Sequence, residues 1–287
     1  MAGALTRTPV VSSLVNVAYG REQMSDPNLK RSRVRGAQLL DALTARRVVR
    51  FHAVSAHVAD VMSRRLRIPR ERVDVIPRGR DPVKLGTRNP ERRSRVRADL
   101  GIGDDTPLVL AAARQEHQKG LDVLIQSWPL VRARIPQAQL LLAGRHGNRT
   151  DALESAIKDL GLHDSVRFLG PRGDVPDLLC AADAFAVPSR WEGLGGIVVE
   201  AMALEAPIVA SSIPALNDLL SDGVEGSLVE PEDPIALAAA LVQLLTDREG
   251  AADLAARARA RFIERYTIDR IADEMIAFYE RALSNGH

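Results

Sequence analysis

From residue 107 onward the chain alternates short apolar runs rich in Val, Leu and Ala with longer segments of helical period. That alternation is the signature of a parallel sheet with crossover helices. The runs are PLVLAAA (107–113), QLLLAG (139–144), VRFLG (166–170), AFAVPS (184–189), PIVASS (207–212) and GSLVEP (226–231). Six strands suffice for a Rossmann-like domain, so the expected fold class is α/β. Between the first two runs, Leu121, Leu124, Ile125, Trp128 and Val131 recur at spacings of three and four. One helical face is therefore expected to pack on the sheet, with Pro136 closing the helix.

The C-terminal stretch is helical by pattern. Ile268, Ile271, Met275, Tyr279 and Leu283 form an apolar stripe behind Thr267 as N-cap, and such a stripe needs a partner surface. The front is less regular. TPVVSSLV (8–15) and RVVRFHAVS (47–55) read as strands, with a polar, basic helical stretch between them. RRLRIPRERVDVIPRGRDP (64–82) has the proline and charge density of a connection between domains. No internal repeat or low-complexity tract interrupts the chain.

A hydrophobic content of 46% and a charged content of 26% over 287 residues match a globular protein and exclude a disordered or collagen-like one. That length holds one large domain or two of ordinary size. The single cysteine, Cys180, excludes an intramolecular disulfide and a cysteine-cluster zinc site, and points to a reducing compartment, the cytoplasm. It lies on an apolar helical face (DLLCAAD) and reads as a buried small hydrophobe. No apolar run approaches a membrane span, and Thr6, Arg7, Ser12 and Ser13 break the apolar start, so no signal peptide is read there.

Charge is unevenly spread. Residues 1–100 carry 22 Lys and Arg against 9 Asp and Glu, and the remainder 17 against 28, so the front is +13 and the back −11. Such a front suits anionic lipid headgroups, nucleic acid or a phosphorylated substrate, or is simply an arginine-biased solvated surface. An aromatic content of 3% argues against nucleic acid, which needs stacking platforms. His52, His57, His117, His146 and His163 are scattered without ligand spacing, so no metal is expected. Ser189 lacks the nucleophile-elbow motif of a serine hydrolase.

The densest candidate for chemistry is PSRWEGLGGIVVEAMALEAPIVAS, Pro188 to Ser211. Glu192 leaves a strand, Gly193, Leu194, Gly195 and Gly196 follow, and a helix containing Glu200 begins. Unpaired N–H groups and the positive dipole end at a helix start bind anions, and glycine permits close approach, so a diphosphate is the natural guest. The eight-residue step puts Glu192 at the mouth and Glu200 about a turn inside the helix, and carboxylates accept hydrogen bonds from paired sugar or ribose hydroxyls. Two glutamates at that spacing alone would read as solvated. A second cluster, RQEHQKG (114–120), strengthens the case. Arg114 and Lys119 follow the first strand of the same sheet at its carboxyl edge, where open α/β folds bind ligands. Two fixed cations there neutralise a departing diphosphate without a metal.

Taken in order, VIPRG (75–79), Arg114 with Lys119 and Gly120, FLG (168–170), AVPS (186–189), EG-x-G, EAMA (200–203) and PIVA (207–210) resemble the carboxyl-terminal half of the retaining, nucleotide-sugar-dependent glycosyltransferases of the group 1 type, which have the GT-B arrangement of two Rossmann-like domains. Glu192 to Glu200 resembles their E-x7-E signature. The resemblance covers about residues 75–285. It implies that Arg114 and Lys119 hold the donor diphosphate, Glu192 the transferred sugar, Glu200 the ribose, and the loop after Gly170, with Pro171 and Arg172, the base. Glu205 stands where the family has a glycine, and Val15 falls near the position of a family histidine that faces the sugar.

The resemblance divides the chain into a partial acceptor-side portion (1–76), a nucleotide-sugar-binding Rossmann-like domain (77–266) and a terminal helix (267–287) packing back toward the front. A front this short implies that the chain begins inside the family's amino-terminal domain. The expected function is transfer of a sugar from a UDP-, GDP- or ADP-sugar to an unknown acceptor with retention, without metal or cofactor. The alternative is a non-catalytic or partner-dependent nucleotide-sugar-binding half. Poor transfer by the chain alone, self-association or a second polypeptide, and peripheral membrane contact through the basic front are further expectations.

Overall fold

The computed structural model describes residues 8–20 and 31–284, so part of the basic front and the first seven residues, where no signal peptide is read, lie outside the described residues. The described chain divides into two compact units. One comprises the residues through Gly79, Glu192–Gly195 and those from Ile268 onward; the other comprises Arg80–Trp191 and Gly196–Thr267.

The first unit is built on a parallel sheet of three strands in sequential order, β1 (Val11–Leu14), β2 (Arg50–Ala53) and β3 (Val73–Val75). β1 pairs with β2 from Val11↔Arg50 to Leu14↔Ala53, and β2 with β3 from Phe51↔Val73 to Ala53↔Val75. β3 lies inside the segment that reads as a connection. Three residues, VDV, are too few to show an alternation, and only pairing with β2 makes them a strand.

The terminal helix, Ile268–Ser284, belongs to this first unit. It buries Ile271 and Phe278 against Ile76, with Val11 and Met275 packed beside them. The Phe278 ring meets the His52 ring edge-on, with centroids 6.2 Å apart. Asp74 on β3 accepts from Arg50 Nε at 2.8 Å and from Arg281 Nη2 at 3.1 Å, which ties the helix to the sheet. The buried line is therefore 271, 278 and 282, with Met275 half-buried beside it, while Ile268, Tyr279 and Leu283 are exposed. Two overlapping lines are open to a helix with apolar residues at both 278 and 279, and the side that meets Ile76 and His52 takes the larger apolar gain of burying phenylalanine.

The second unit contains six parallel strands, β4 (Leu108–Ala112), β5 (Gln139–Ala143), β6 (Val166–Gly170), β7 (Ala184–Val187), β8 (Ile208–Ser211) and β9 (Ser227–Val229). Each falls on one of the six apolar runs. Their spatial order is β6-β5-β4-β7-β8-β9. The chain thus builds outward from β4 in one direction, returns, and builds outward from β7 in the other. That reversal, between β4 and β7, is the switch point at whose carboxyl end open α/β sheets bind ligands.

The helix Leu121–Arg134 buries the expected face of Leu121, Leu124, Ile125, Trp128 and Val131, packed with Leu237, Leu241 and Leu244 of the helix Pro234–Thr246. Trp128 is fully buried and donates its indole N–H to Ser165 Oγ at 3.2 Å. At the amino ends of the strands, the fully buried Arg97 donates to Asp183 Oδ2 at 2.7 Å and to the Thr106 carbonyl at 2.8 Å. Asp183 also accepts from the Leu108 N–H, so one carboxylate ties β4, β7 and the helix Pro90–Leu100 together.

At the carboxyl ends, two features hold the exits of β4 and β7 together. Gly120 has φ 62°, and a Cβ there would lie 1.9 Å from the Pro188 carbonyl oxygen, so the turn after β4 presses directly on the backbone leaving β7. Arg190 then forks onto Asp122, with both N–O distances 2.9 Å, and donates to the His117 carbonyl at 2.7 Å and to Glu232 Oε1 at 2.8 Å. The Arg190 N–H donates to the Gln118 carbonyl, and Gln118 Nε2 to the Trp191 carbonyl.

Two predictions follow from these contacts. Burial is the largest single influence on the Asp122 carboxyl and opposes its charge, but the hydrogen bonds and charge of Arg190, its own amide and Arg149 together hold its pKa below the ordinary carboxylate range. A depressed carboxylate contributes stability above its unfolded pKa of about 3.9 and loses it as pH falls through the lower folded value. Asp122→Asn is therefore expected to cost about 1–2 kcal/mol at neutral pH and to flatten the loss of stability below about pH 4. Denaturant unfolding across that range measures both, and an unchanged acid slope would show that the pair contributes nothing.

Glu205, where the resemblance implies a glycine, has φ 50° just beyond the helix Gly196–Ala203. A left-handed backbone costs a non-glycine residue about 1–2 kcal/mol, which exceeds the unfolded-chain entropy that glycine brings, about 0.5–1 kcal/mol. Glu205→Gly is expected to raise the unfolding midpoint; a lowered midpoint would mean that the side chain itself stabilises the turn.

Candidate functional site

The second unit carries Arg114, Lys119, Gly196, Glu200, Pro171 and Arg172, and the first carries Glu192, Gly193, Leu194 and Gly195. The sequence reading assigns that four-residue loop to the larger domain. Its contacts group it instead with the front.

Arg114 is the second residue after β4. The loop that holds it is anchored by the buried Gln115, whose N–H donates to the Arg145 carbonyl at 3.0 Å and whose side-chain oxygen accepts from Thr150 Oγ1 at 2.6 Å. Arg114 Nη1 donates to Glu116 Oε1 at 2.7 Å. Lys119 closes the short turn His117–Lys119, immediately before Gly120 and the helix Leu121–Arg134. The Arg190 and Asp122 fork holds this turn from the β7 side, and the His117 ring meets the Trp191 ring edge-on at 5.9 Å. Burial, and then the Arg190 charge, push the His117 pKa down, favouring the neutral ring.

Gly196 begins the helix Gly196–Ala203, which follows β7 on the other side of the reversal. Glu200 sits one turn inside it. Its Oε1 accepts from Arg80 Nε at 2.8 Å, and Arg80 Nη2 donates to the Gly196 carbonyl at 3.3 Å. A Cβ on Gly196 would lie 2.8 Å from that Nη2. The glycine that sequence assigns to close ligand approach thus also makes room for a guanidinium.

The loop after β6 carries Pro171 and Arg172. Arg172 Nε donates to Asp174 Oδ1 at 2.8 Å in a two-pronged pair, and that hydrogen bond is the main reason the Asp174 carboxyl sits below its ordinary range. β6 lies two strands from β4 in the sheet, so this loop leaves the sheet about 10 Å from the exit of β4.

In the first unit, Glu192 is buried at 7% exposure and Leu194 at 6%. The Gly193 carbonyl accepts from Ser55 Oγ at 2.6 Å, and Ser55 Oγ in turn accepts from the Val58 N–H at 3.2 Å as N-cap of the helix Ala56–Leu66. A Cβ on Gly193 would lie 2.3 Å from the Val15 carbonyl oxygen, so the backbone after β1 lies against this glycine. Gly195 turns through φ 82°. The Val15 position therefore meets the loop through its main chain.

Sequence reasoning missed Arg80, Gln115, Asp122, Arg190 and Ser55. Ser55 had a readable signal, a serine directly before a helical run. The others sit in charged or polar stretches where nothing local separates a structural partner from a solvated side chain.

Residues 92–261 match the family model described as glycosyl transferases group 1. Among curated proteins, the chain is 33% identical over 238 residues to a D-inositol 3-phosphate glycosyltransferase of Mycolicibacterium smegmatis, covering 81% of this chain and 50% of that protein. It is 32% identical over 218 residues to a protein of Methanocaldococcus jannaschii described as an uncharacterized glycosyltransferase, covering 75% of this chain and 55% of that one. The chain thus spans about half the length of these relatives. Among solved structures, Anabaena Alr3699/HepE in complex with UDP and glucose aligns with a TM-score of 0.85 at 27% identity, over 97% of this chain and 73% of that chain. With its two parallel sheets, its strand-order reversal and a family match over more than half its length, the chain belongs to the group 1 glycosyltransferases of GT-B type.

Proposed function

We propose that the chain binds a nucleotide diphosphate sugar in its second unit and acts in transfer of the sugar to an acceptor with retention of anomeric configuration. One observation carries this reading. The strand-order reversal brings the Arg114 to Lys119 loop after β4 and the Gly196–Ala203 helix after β7 to the same carboxyl edge of the sheet. A diphosphate there meets two cations and the positive end of a helix dipole. As the anomeric C–O bond breaks, negative charge grows on the leaving phosphate oxygen, and these fixed charges stabilise it without reorganisation. Glu200 accepts hydrogen bonds from the ribose hydroxyls, and the loop with Pro171 and Arg172 accommodates the base. The Anabaena neighbour in complex with UDP-glucose, with a TM-score of 0.86 at 26% identity, supports a nucleotide sugar as ligand and makes UDP the first probe.

Lys119→Ala and Arg114→Ala are each expected to weaken UDP binding by about 10- to 100-fold, as loss of a charge-assisted contact of about 1.5–3 kcal/mol requires, and to change uridine binding far less. Calorimetric titration distinguishes the two ligands, and equal losses for both would remove these cations from the diphosphate site.

A further inference from the structure

Arg80 stands beside the site without a role in the reading above. It lies in the charged stretch PRGRDP, and its backbone is fixed before its side chain is considered. The Arg80 N–H donates to the Tyr266 carbonyl at 2.9 Å, and residue 80 forms an isolated parallel bridge with Thr267. From that anchor the guanidinium spans two points of one helix, Glu200 Oε1 at 2.8 Å and the Gly196 carbonyl at 3.3 Å. Both partners of the ion pair are largely withdrawn from solvent, at 27% and 20% side-chain exposure. The absent side chain of Gly196 completes the arrangement, since any Cβ would lie 2.8 Å from Nη2, closer than such atoms approach.

We propose that Arg80 is the positioning residue of the ribose contact, holding the Glu200 carboxylate by one oxygen so that the other is presented to the ribose hydroxyls, and that Gly196 leaves open the space its guanidinium occupies. The inference rests on the reading of Glu200 as the ribose contact. A glutamate without a fixed partner samples several rotamers, and ordering it on ligand binding costs free energy that a pre-formed pair has already spent. A carboxylate held in one rotamer gains more from a diol than a mobile one. A merely structural ion pair would stabilise the helix and leave ribose selectivity untouched, which separates the two roles.

The test uses the full chain and two probes, UDP and 2′,3′-dideoxy-UDP, titrated into wild type, Glu200→Gln, Arg80→Ala, Gly196→Ala and the Arg80→Ala/Gly196→Ala double variant. Changes at the diphosphate, including loss of the Arg80 charge or displacement of the helix start, act on both probes and cancel in their affinity ratio. Glu200→Gln is expected to lower the ratio by about tenfold, the equivalent of one charge-assisted hydrogen bond. Arg80→Ala is expected to lower it several-fold. Gly196→Ala, which retains the arginine but displaces its guanidinium, is expected to do the same, and it carries the test if Arg80→Ala fails to fold. In the double variant the Gly196 change adds nothing further to the ratio. A ratio that falls with Glu200→Gln and holds with both other single variants would reduce Arg80 to a structural partner. A ratio unmoved by Glu200→Gln would overturn the ribose reading, and the role of Arg80 with it.

Discussion

Everything proposed for the second unit depends on the reversal of strand order between β4 and β7. Parallel strands must be joined by crossovers, and a sheet that grows outward in both directions from its first strand leaves one place where neighbouring loops part. Here that place is narrowed by contact as well as by topology. Gly120 touches the Pro188 carbonyl, and Arg190 grips Asp122 with a two-pronged pair, so the two loops form one rigid edge. The anion-binding groups proposed for it are then held by the scaffold, as electrostatic stabilisation of a developing charge requires.

The same edge shows how charge is distributed in an arginine-rich chain. Arg190 and Arg80 are spent on carboxylates and carbonyls of neighbouring elements, and Arg97 performs the corresponding task at the opposite edge of the sheet. Planar guanidiniums suit this use because each satisfies several acceptors at once. Among the described residues no helix is long and apolar enough to cross a membrane.

The glycine loop illustrates what a motif hides. Gly193, Gly195 and Gly196 read as one phosphate-binding device, yet the structure gives each a different local setting. Gly193 yields to the Val15 carbonyl and Gly196 to the Arg80 guanidinium, while Gly195 supplies a left-handed turn. The close approach of protein to protein, as well as protein to ligand, explains their absence of side chains. Glu205 is the converse, a residue that takes a left-handed conformation without being glycine.

Much of the second unit was legible in the chain itself. Strands buried on both faces must be apolar throughout, and the six runs, the helical face around Trp128, and the placement of Arg114 after β4 and of Glu200 in the helix that follows β7 all follow from periodicity and turn chemistry. What could not be read was any choice that depends on a distant neighbour. β3 became a strand by pairing with β2, the terminal helix turned Phe278 rather than Tyr279 inward because Ile76 and His52 lie there, and Glu192–Gly195 grouped with the front through Ser55 and Val15. Arg80 reached Glu200 across 120 residues of chain. Local periodicity records which face of an element is apolar, whereas the identity of the surface that meets it, and the partner of each charge, is set by contacts that close only when the whole chain has folded.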